Sequence, residues 1–250
     1  MDPICNTERD GHVGIVRMQR TDKHNAFNRA LDQAVAAALR DLDADDAVHV
    51  AILTGSGAAF SAGADMQEAV ASIEGKGRTE GMAAVYAAIA GFRKPLIASV
   101  NGIAYGGGAL IATMCDIRIA SDTAAFRFPG AAYGLVVGGS ALPRLVGPAF
   151  AKELLFTARV VRADEALRIG LVNHVVPYPE LEDAALDMAR QIAANSPPAL
   201  VATKHVVDRA TEVDAGVHAE ADANRGLRES PEHHERFRAA ADRVARRGGD

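Results

Sequence analysis

The sequence predicts an α/β fold with mainly parallel strands, completed by a purely helical C-terminal part. Three observations carry this. Strand-like and helix-like patterns alternate from Val13 to Ala120. The two clearest strands, residues 48–54 (VHVAILT) and 96–100 (LIASV), are near-continuous apolar runs, as expected of strands buried on both faces. Helical patterns dominate from Ala149 onward, interrupted only by a strand-like 171–176 and by Pro197-Pro198. A chain of 250 residues is one large domain or one domain with a small appendage.

The first strand is Val13–Met18, whose Val13, Ile15 and Val16 are apolar. After a polar turn (RTDKHN), Asn28 is placed to cap a helix in which Leu31, Val35, Ala38, Leu39 and Leu42 recur at helical spacing. An Asp-rich run, 41–46, ends that helix. Strand 48–54 runs into a Gly/Ser/Ala loop, 55–63, and a helix is expected from Asp65. The polar stretch 75–78 (GKGR) reads as mobile, and another helix covers about 80–91. Pro95 precedes strand 96–100, which leads through Asn101-Gly102 and Gly106-Gly107-Gly108 into an apolar helix ending at Met114. Residues 116–120 form the next strand. The last helices span roughly 198–210, 213–229 and 232–247. This divides the chain into a core, 1–194, and a C-terminal helical oligomerisation region, 195–250.

Composition narrows the function. The 32 acidic residues exceed the 27 basic ones, for a net charge of −5, so a nucleic-acid-binding role is disfavoured because it needs a basic face. Two cysteines, Cys5 and Cys115, make neither a disulfide framework nor a metal site. No run of about 18 apolar residues exists to span a membrane. The N-terminus lacks the basic and apolar regions of a signal peptide, so a cytoplasmic location is expected. Gly55-x-Gly57 is followed by Phe60, and Gly106-x-Gly108 by Ile111, so neither completes a dinucleotide fingerprint. No nucleotide-phosphate loop is present, and Ser140 lacks the second glycine of a nucleophile elbow. His233-His234-Glu235 has no third ligand at usable spacing and reads as an exposed polar helix face.

Two loop-to-helix junctions remain, each behind a buried strand: 59–66 (AFSAGADM) and 100–109 (VNGIAYGGGA). A helix start offers unpaired N–H groups and the positive end of a dipole. Two such starts facing each other can aim two N–H groups at one developing oxyanion. For either loop alone, glycines that allow tight turns and close packing are the favoured explanation.

Taken in order, the residues resemble the enoyl-CoA hydratase/isomerase (crotonase) family over nearly the whole chain. The resemblance runs through Asn25-Ala26-Phe27, Ile52-Leu53-Thr54-Gly55, Phe60-Ser61-Ala62-Gly63-Ala64-Asp65, Lys94-Pro95-Leu96-Ile97-Ala98 and Val100-Asn101-Gly102. It continues through Gly106-Gly107-Gly108, Met114-Cys115-Asp116, Gly134-Leu135, Arg144-Leu145, Ala163-x-x-Ala166 with Gly170-Leu171-Val172, and the helix from Pro197. It implies a crotonase (ClpP-like) spiral of ββα units with a C-terminal helical trimerisation region, assembled as a homotrimer or dimer of trimers. It implies an acyl-CoA thioester as ligand, coenzyme A entering as part of the substrate and no separate cofactor or metal. The oxyanion-hole N–H groups map to Ala64 and Gly107. The substrate-binding segments map to Lys23, His24 and Ala26, to Ala62, Asp65 and Met66, and to Gly106, Pro129 and Tyr133. Lys23 and His24 read equally well as an exposed turn.

The same resemblance exposes departures. Hydration of an enoyl thioester needs a base for water and an acid for the α-carbon. The family's two glutamate positions map to Leu110 and Gly130, and the aspartate position of dienoyl-CoA isomerases maps to Gly138. None of these carries a transferable proton. Asp65 is better explained by capping or ligand contact, Asp116 by a structural hydrogen bond, and Tyr133 by packing; Glu68 is a remote candidate. The family's late Phe and basic residue, which reach a neighbouring subunit's CoA, map to Ala240 and Arg243, with Phe237 one turn away. The expectation is an acyl-CoA thioester-binding family member that stabilises a thioester enolate without being an efficient hydratase. The alternative is a non-catalytic acyl-CoA binder or carrier working with a partner protein. A structural paralogue with no ligand is the third reading.

Overall fold

The computed structural model describes residues 3–74, 81–211 and 214–247, so the 75–78 stretch lies outside the described residues. The chain opens on a hairpin, β1 (Cys5–Asp10) and β2 (Val13–Met18), followed by helix α1 (Arg29–Ala44). Three two-strand units come next: β3 (Val50–Gly55) with β4 (Ala59–Ser61), β5 (Leu96–Val100) with β6 (Ile103–Tyr105), and β7 (Ile117–Ser121) with β8 (Ala125–Arg127). Helices α2 (Met66–Ile73) and α3 (Ala83–Ala90) follow the first unit, α4 (Gly107–Met114) the second and α5 (Leu142–Thr157) the third. Then come β9 (Val160–Arg162), α6 (Ala163–Arg168), β10 (His174–Val176) and α7 (Leu181–Ala193), and finally α8 (Pro197–Thr211), α9 (Asp214–Leu227) and α10 (Pro231–Arg247).

The first strand of each unit joins a six-stranded sheet, β1-β2-β3-β5-β7-β10. The second joins a four-stranded sheet, β4-β6-β8-β9. Only β1–β2 and β8–β9 are antiparallel. Repeating this step advances both sheets together, so each short loop between the two strands lands at the same end of the molecule. Side chains divide by the strand period of two. Val13, Ile15, Val50, Ile52, Ile97 and Ile119 face Leu181, Ala185 and Ala189 of α7. Val16, Met18, Ala51, Leu53, Leu96 and Ala98 enter the main core with Phe60, Phe126 and Phe128.

Asn28 caps α1 as its sequence predicts, its side chain accepting from the Leu31 N–H at 2.9 Å. The elements that escape the sequence pattern have physical reasons. β1 (CNTERD) is a charged edge strand without apolar alternation; it is held by full pairing with β2. β4 lies inside the stretch read as a loop, and β4, β6, β8 and β9 are three residues each, too short to display a period. Helix α5 starts at Leu142 rather than Ala149, because Gly147 (φ 74°) and Pro148 kink it and hide its first turns from the pattern.

The C-terminal helices fall where expected. No residue of α8 is buried, and Val206 and Val207 stand exposed. Lys204 ties α8 to the core through Asp116 (2.9 Å) and the Lys94 carbonyl. In α10, His233, Phe237 and Ala240 are buried, and the helix packs on α2 and on the 3-10 turn Ala131–Tyr133 of its own chain. This corrects the reading of His233-His234-Glu235 as an exposed face. The sequence period did not reveal that His233 sits edge-on to Phe237 and bonds the Tyr133 carbonyl through Nδ1.

Candidate functional site

The site is built around Asn25, which is buried in a left-handed conformation (φ 53°) that asparagine tolerates. Its Nδ2 donates to the carbonyls of Ser56 (3.0 Å) and Ala59 (2.8 Å), and its Oδ1 accepts from the Arg20 N–H (2.9 Å). Ser61 Oγ donates to the Asn25 carbonyl. The backbone then zips the two segments together. The Ala62 N–H bonds the His24 carbonyl, the Phe27 N–H the Gly63 carbonyl, and the Asp65 N–H the Phe27 carbonyl. Lys23, His24 and Ala26 are thereby brought beside Ala62, Asp65 and Met66. Lys23 and His24 are exposed, and Ala26 is buried.

Asp65 ends this segment as the N-cap of α2, accepting from the N–H groups of Gln67 and Glu68. It also pairs with Arg20 Nη1 at 2.6 Å. Burial alone would raise the Asp65 carboxyl pKa. The Arg20 hydrogen bond and charge and the two N–H bonds outweigh burial and hold it below the usual carboxylate range. Asp65 is thus a satisfied structural anion. Asp116 also plays a structural part, accepting from the Leu96 N–H and from Lys204, but there burial outweighs its partners and raises the carboxyl pKa.

The second junction meets the first backbone to backbone. A Cβ placed on Gly63 would lie 2.7 Å from the Tyr105 carbonyl oxygen and 3.0 Å from the Gly107 nitrogen, so only glycine fits there. Gly106 takes φ 53°, ψ −119° to turn the chain into α4, and Pro129 lies next to it. Asn101 fastens this junction, accepting from the Gly55 N–H and donating to the carbonyls of Gly57 and Ala59. Among the described residues, neither the Ala64 N–H nor the Gly107 N–H has a backbone acceptor. Two free donors at the starts of two helices therefore stand together, a geometry suited to binding a carbonyl oxygen more tightly as it gains charge.

A family model for enoyl-CoA hydratase/isomerase matches residues 8–248. The chain belongs to the enoyl-CoA hydratase/isomerase family. It is 40% identical over 213 residues to a short-chain-enoyl-CoA hydratase of Clostridium acetobutylicum, covering 83% of this chain and 82% of that one. It is 37% identical over 224 residues to a crotonyl-CoA hydratase of Syntrophomonas wolfei, covering 86% of each. The crystal structure of an enoyl-CoA hydratase/isomerase from Pseudoalteromonas atlantica superposes with a TM-score of 0.87 at 29% identity, covering 96% of this chain and 98% of that one. The mixed α/β architecture with its C-terminal helices is the crotonase fold of this family.

Leu110 lies on α4 one turn after Gly106 and is half-buried. Gly130 is enclosed: a Cβ there would lie 2.9 Å from both the Leu135 carbonyl oxygen and the Val137 nitrogen. Gly138 adopts φ 87°, with Phe128 beside it. Tyr133 packs edge-on against Phe237 of α10, its ring centroid 5.5 Å away. Ala240 is buried, and Arg243 is exposed and bonds the Ala239 carbonyl. In this member of the family, α10 lies over its own chain's α2.

Two groups near the site escape the motif reading. Met82, just before α3, and Tyr86 of α3 press on Gly107, where a Cβ would lie 2.8 Å from Tyr86 Oη. The signal was available, since Tyr86 carries the single polar group in the otherwise apolar helix AAVYAAIA. The other is Glu220 of α9, whose carboxylate accepts from the N–H groups of Gly138 (3.0 Å) and Ser140 (2.8 Å). No local motif predicts a contact across 80 residues.

Proposed function

We propose that this chain binds an acyl-CoA thioester, its carbonyl oxygen accepting from the N–H groups of Ala64 and Gly107, which stabilise the enolate form. The convergence of these two free donors carries the reading. The relatives named as short-chain-enoyl- and crotonyl-CoA hydratases favour a short acyl chain. Lys23, His24, Ala26, Ala62 and Met66 line the approach as the CoA-side segment, and Gly106 and Pro129 border the thioester.

Efficient hydration is not part of the proposal. Leu110 and Gly130 replace the two proton-transferring glutamates, each worth about 10²–10⁴-fold. A side chain at 130 has no room in the closed loop. The oxyanion donors remain and suit reactions in which the substrate supplies its own electrons, such as decarboxylation. The second reading, an acyl-CoA binder or carrier serving a partner protein, rests on the same absence of acids. Assembly as a homotrimer or dimer of trimers is part of this reading, and the exposed Val206 and Val207 of α8 offer an apolar contact face for it.

The test pairs calorimetric binding of butyryl-CoA with turnover of crotonyl-CoA, followed by loss of conjugated absorbance, and of a malonyl-type thioester. Binding with little hydration is expected. Ordinary hydratase rates would overturn the claim about positions 110 and 130, and absence of binding would overturn the whole reading. Product from the malonyl-type thioester would decide against the carrier.

A further inference from the structure

Tyr86 is the unexplained group of the site. Asp32 fixes the start of α3 by accepting from the N–H groups of Ala84 and Val85 at 3.3 and 2.9 Å. One turn on, Tyr86 lays its ring partly at the surface, while its hydroxyl is enclosed against Gly107. The hydroxyl's hydrogen-bond partner is the Met82 thioether, at 3.5 Å. A thioether sulfur is a weak acceptor, and a buried phenol usually finds a better one. Gly107 itself, with no side chain, leaves room for this hydroxyl, and Gly63 packs on the Gly107 nitrogen. Among the described residues, the N–H groups of Ala64 and Gly107 thus have no backbone acceptor, and the nearby Tyr86 O–H has only a thioether.

We propose that Tyr86 is a substrate-contacting residue of this site, its O–H exchanging the Met82 sulfur for the thioester oxygen as a third donor to the enolate. This rests on the acyl-CoA reading above. Tyr86 donates a hydrogen bond and keeps its proton, so no bond to hydrogen is broken in this step. Burial first, then the charges of Asp32 and Glu220, with Arg228 opposing, push the phenol above the ordinary tyrosine value. It therefore remains a donor across the neutral range. A proton held this way differs in kind from the carboxylates the family places at 110 and 130. It stabilises the charge without activating water, in keeping with enolate chemistry that stops short of hydration.

The test uses the full chain with 2,4-hexadienoyl-CoA, a conjugated thioester whose absorption moves to the red when its carbonyl is polarised. Tyr86→Phe is expected to keep the fold and bind within about tenfold of the parent. Its bound red shift should shrink by about a third, one donor of three, and any turnover of enolate-forming substrates should fall by about 10²-fold. Met82→Leu, a volume-conserving change, should keep the shift. An undiminished shift in Tyr86→Phe overturns the proposal while leaving the acyl-CoA reading standing. A shift lost in Met82→Leu but kept in Tyr86→Phe assigns the effect to packing and also overturns it. Failure of the parent to bind the thioester overturns both readings together.

Discussion

The junction segments at 20–28, 55–65 and 101–108 and the C-terminal helices α8 and α9 are held by opposite means. At the junctions, Asn25, Ser61, Asp65 and Asn101 are buried polar residues; Asn25, Ser61 and Asn101 bond backbone of other segments, and Asp65 joins its own helix start to the Arg20 side chain. In α8, no residue is buried, and α9 reaches the core through Glu220 and Asn224. A buried polar network loses stability sharply when one member is removed, because the partners stay buried and unsatisfied. A surface helix tied by a few bonds loses little. The proposed site needs the first kind of construction, since it asks two N–H groups to hold their places without a ligand.

Asn25→Ala is the largest break in that contrast. It strands the carbonyl of Ser56 and the Arg20 N–H, leaves the Ala59 carbonyl only its Asn101 donor, and puts alanine at φ 53°. A loss of about 3–5 kcal/mol is expected in denaturant unfolding. Val206→Ser on α8, at 65% exposure, should shift the same curve by no more than about 0.5 kcal/mol. A larger effect that grows with protein concentration would identify α8 as an assembly face.

A second contrast lies within the site. Gly130→Glu forces a Cβ to within 2.9 Å of two backbone atoms of the 135–137 loop. Leu110→Glu puts a carboxylate at a half-buried position on α4. The first variant should lose at least about 2 kcal/mol through overpacking and the second less. Thermal unfolding of the two side by side measures this, and equal losses would show that the loop yields freely.

Much of this was legible before the structure, though unevenly. Strand Leu96–Val100 and the Asn28 cap could be read because their information is local: an apolar run behind a proline, and an asparagine at the head of a periodic segment. The convergence of Ala64 and Gly107 could be expected only from the order of several weak motifs, since the contact joins segments whose pairing appears in no local pattern. Gly130 shows the remaining limit. The sequence tells that a glycine is there, but the closed loop that gives it meaning comes from backbone at 135–137. Tyr86 and Glu220 act across long separations from helices that otherwise read as packing.

Acid should weaken the junction before it weakens the helices, and Asp65 is the reason. Its folded pKa is lowered, so its stabilisation is present above the ordinary aspartate pKa, near 3.9, and is lost as pH falls through the lower folded value. Asparagine caps helices as well as aspartate, so Asp65→Asn isolates the charge paired with Arg20. The stability gap between parent and Asp65→Asn should be widest near pH 7 and close as the pH falls below 4. A gap that widens in acid would reverse the sign assigned to this carboxyl.

A small and local effect sits where the two regions meet. Glu220 of α9 caps the N–H groups of Gly138 and Ser140, while the adjacent Asn224 bonds both the N–H and the carbonyl of Val136. Glu220→Ala removes half of this clasp and leaves the other half in place. Ser140 is partly exposed and its N–H can turn to water, while Gly138 is buried, so global stability should fall by about 1 kcal/mol. Hydrogen exchange at Gly138 and Ser140 should nevertheless speed up, while exchange in β3 and β5 stays as it was, because local opening of the loop does not pass through the core. Accelerated exchange across β3 and β5 as well would mean that the C-terminal helices carry the spiral's stability and do not merely rest on it.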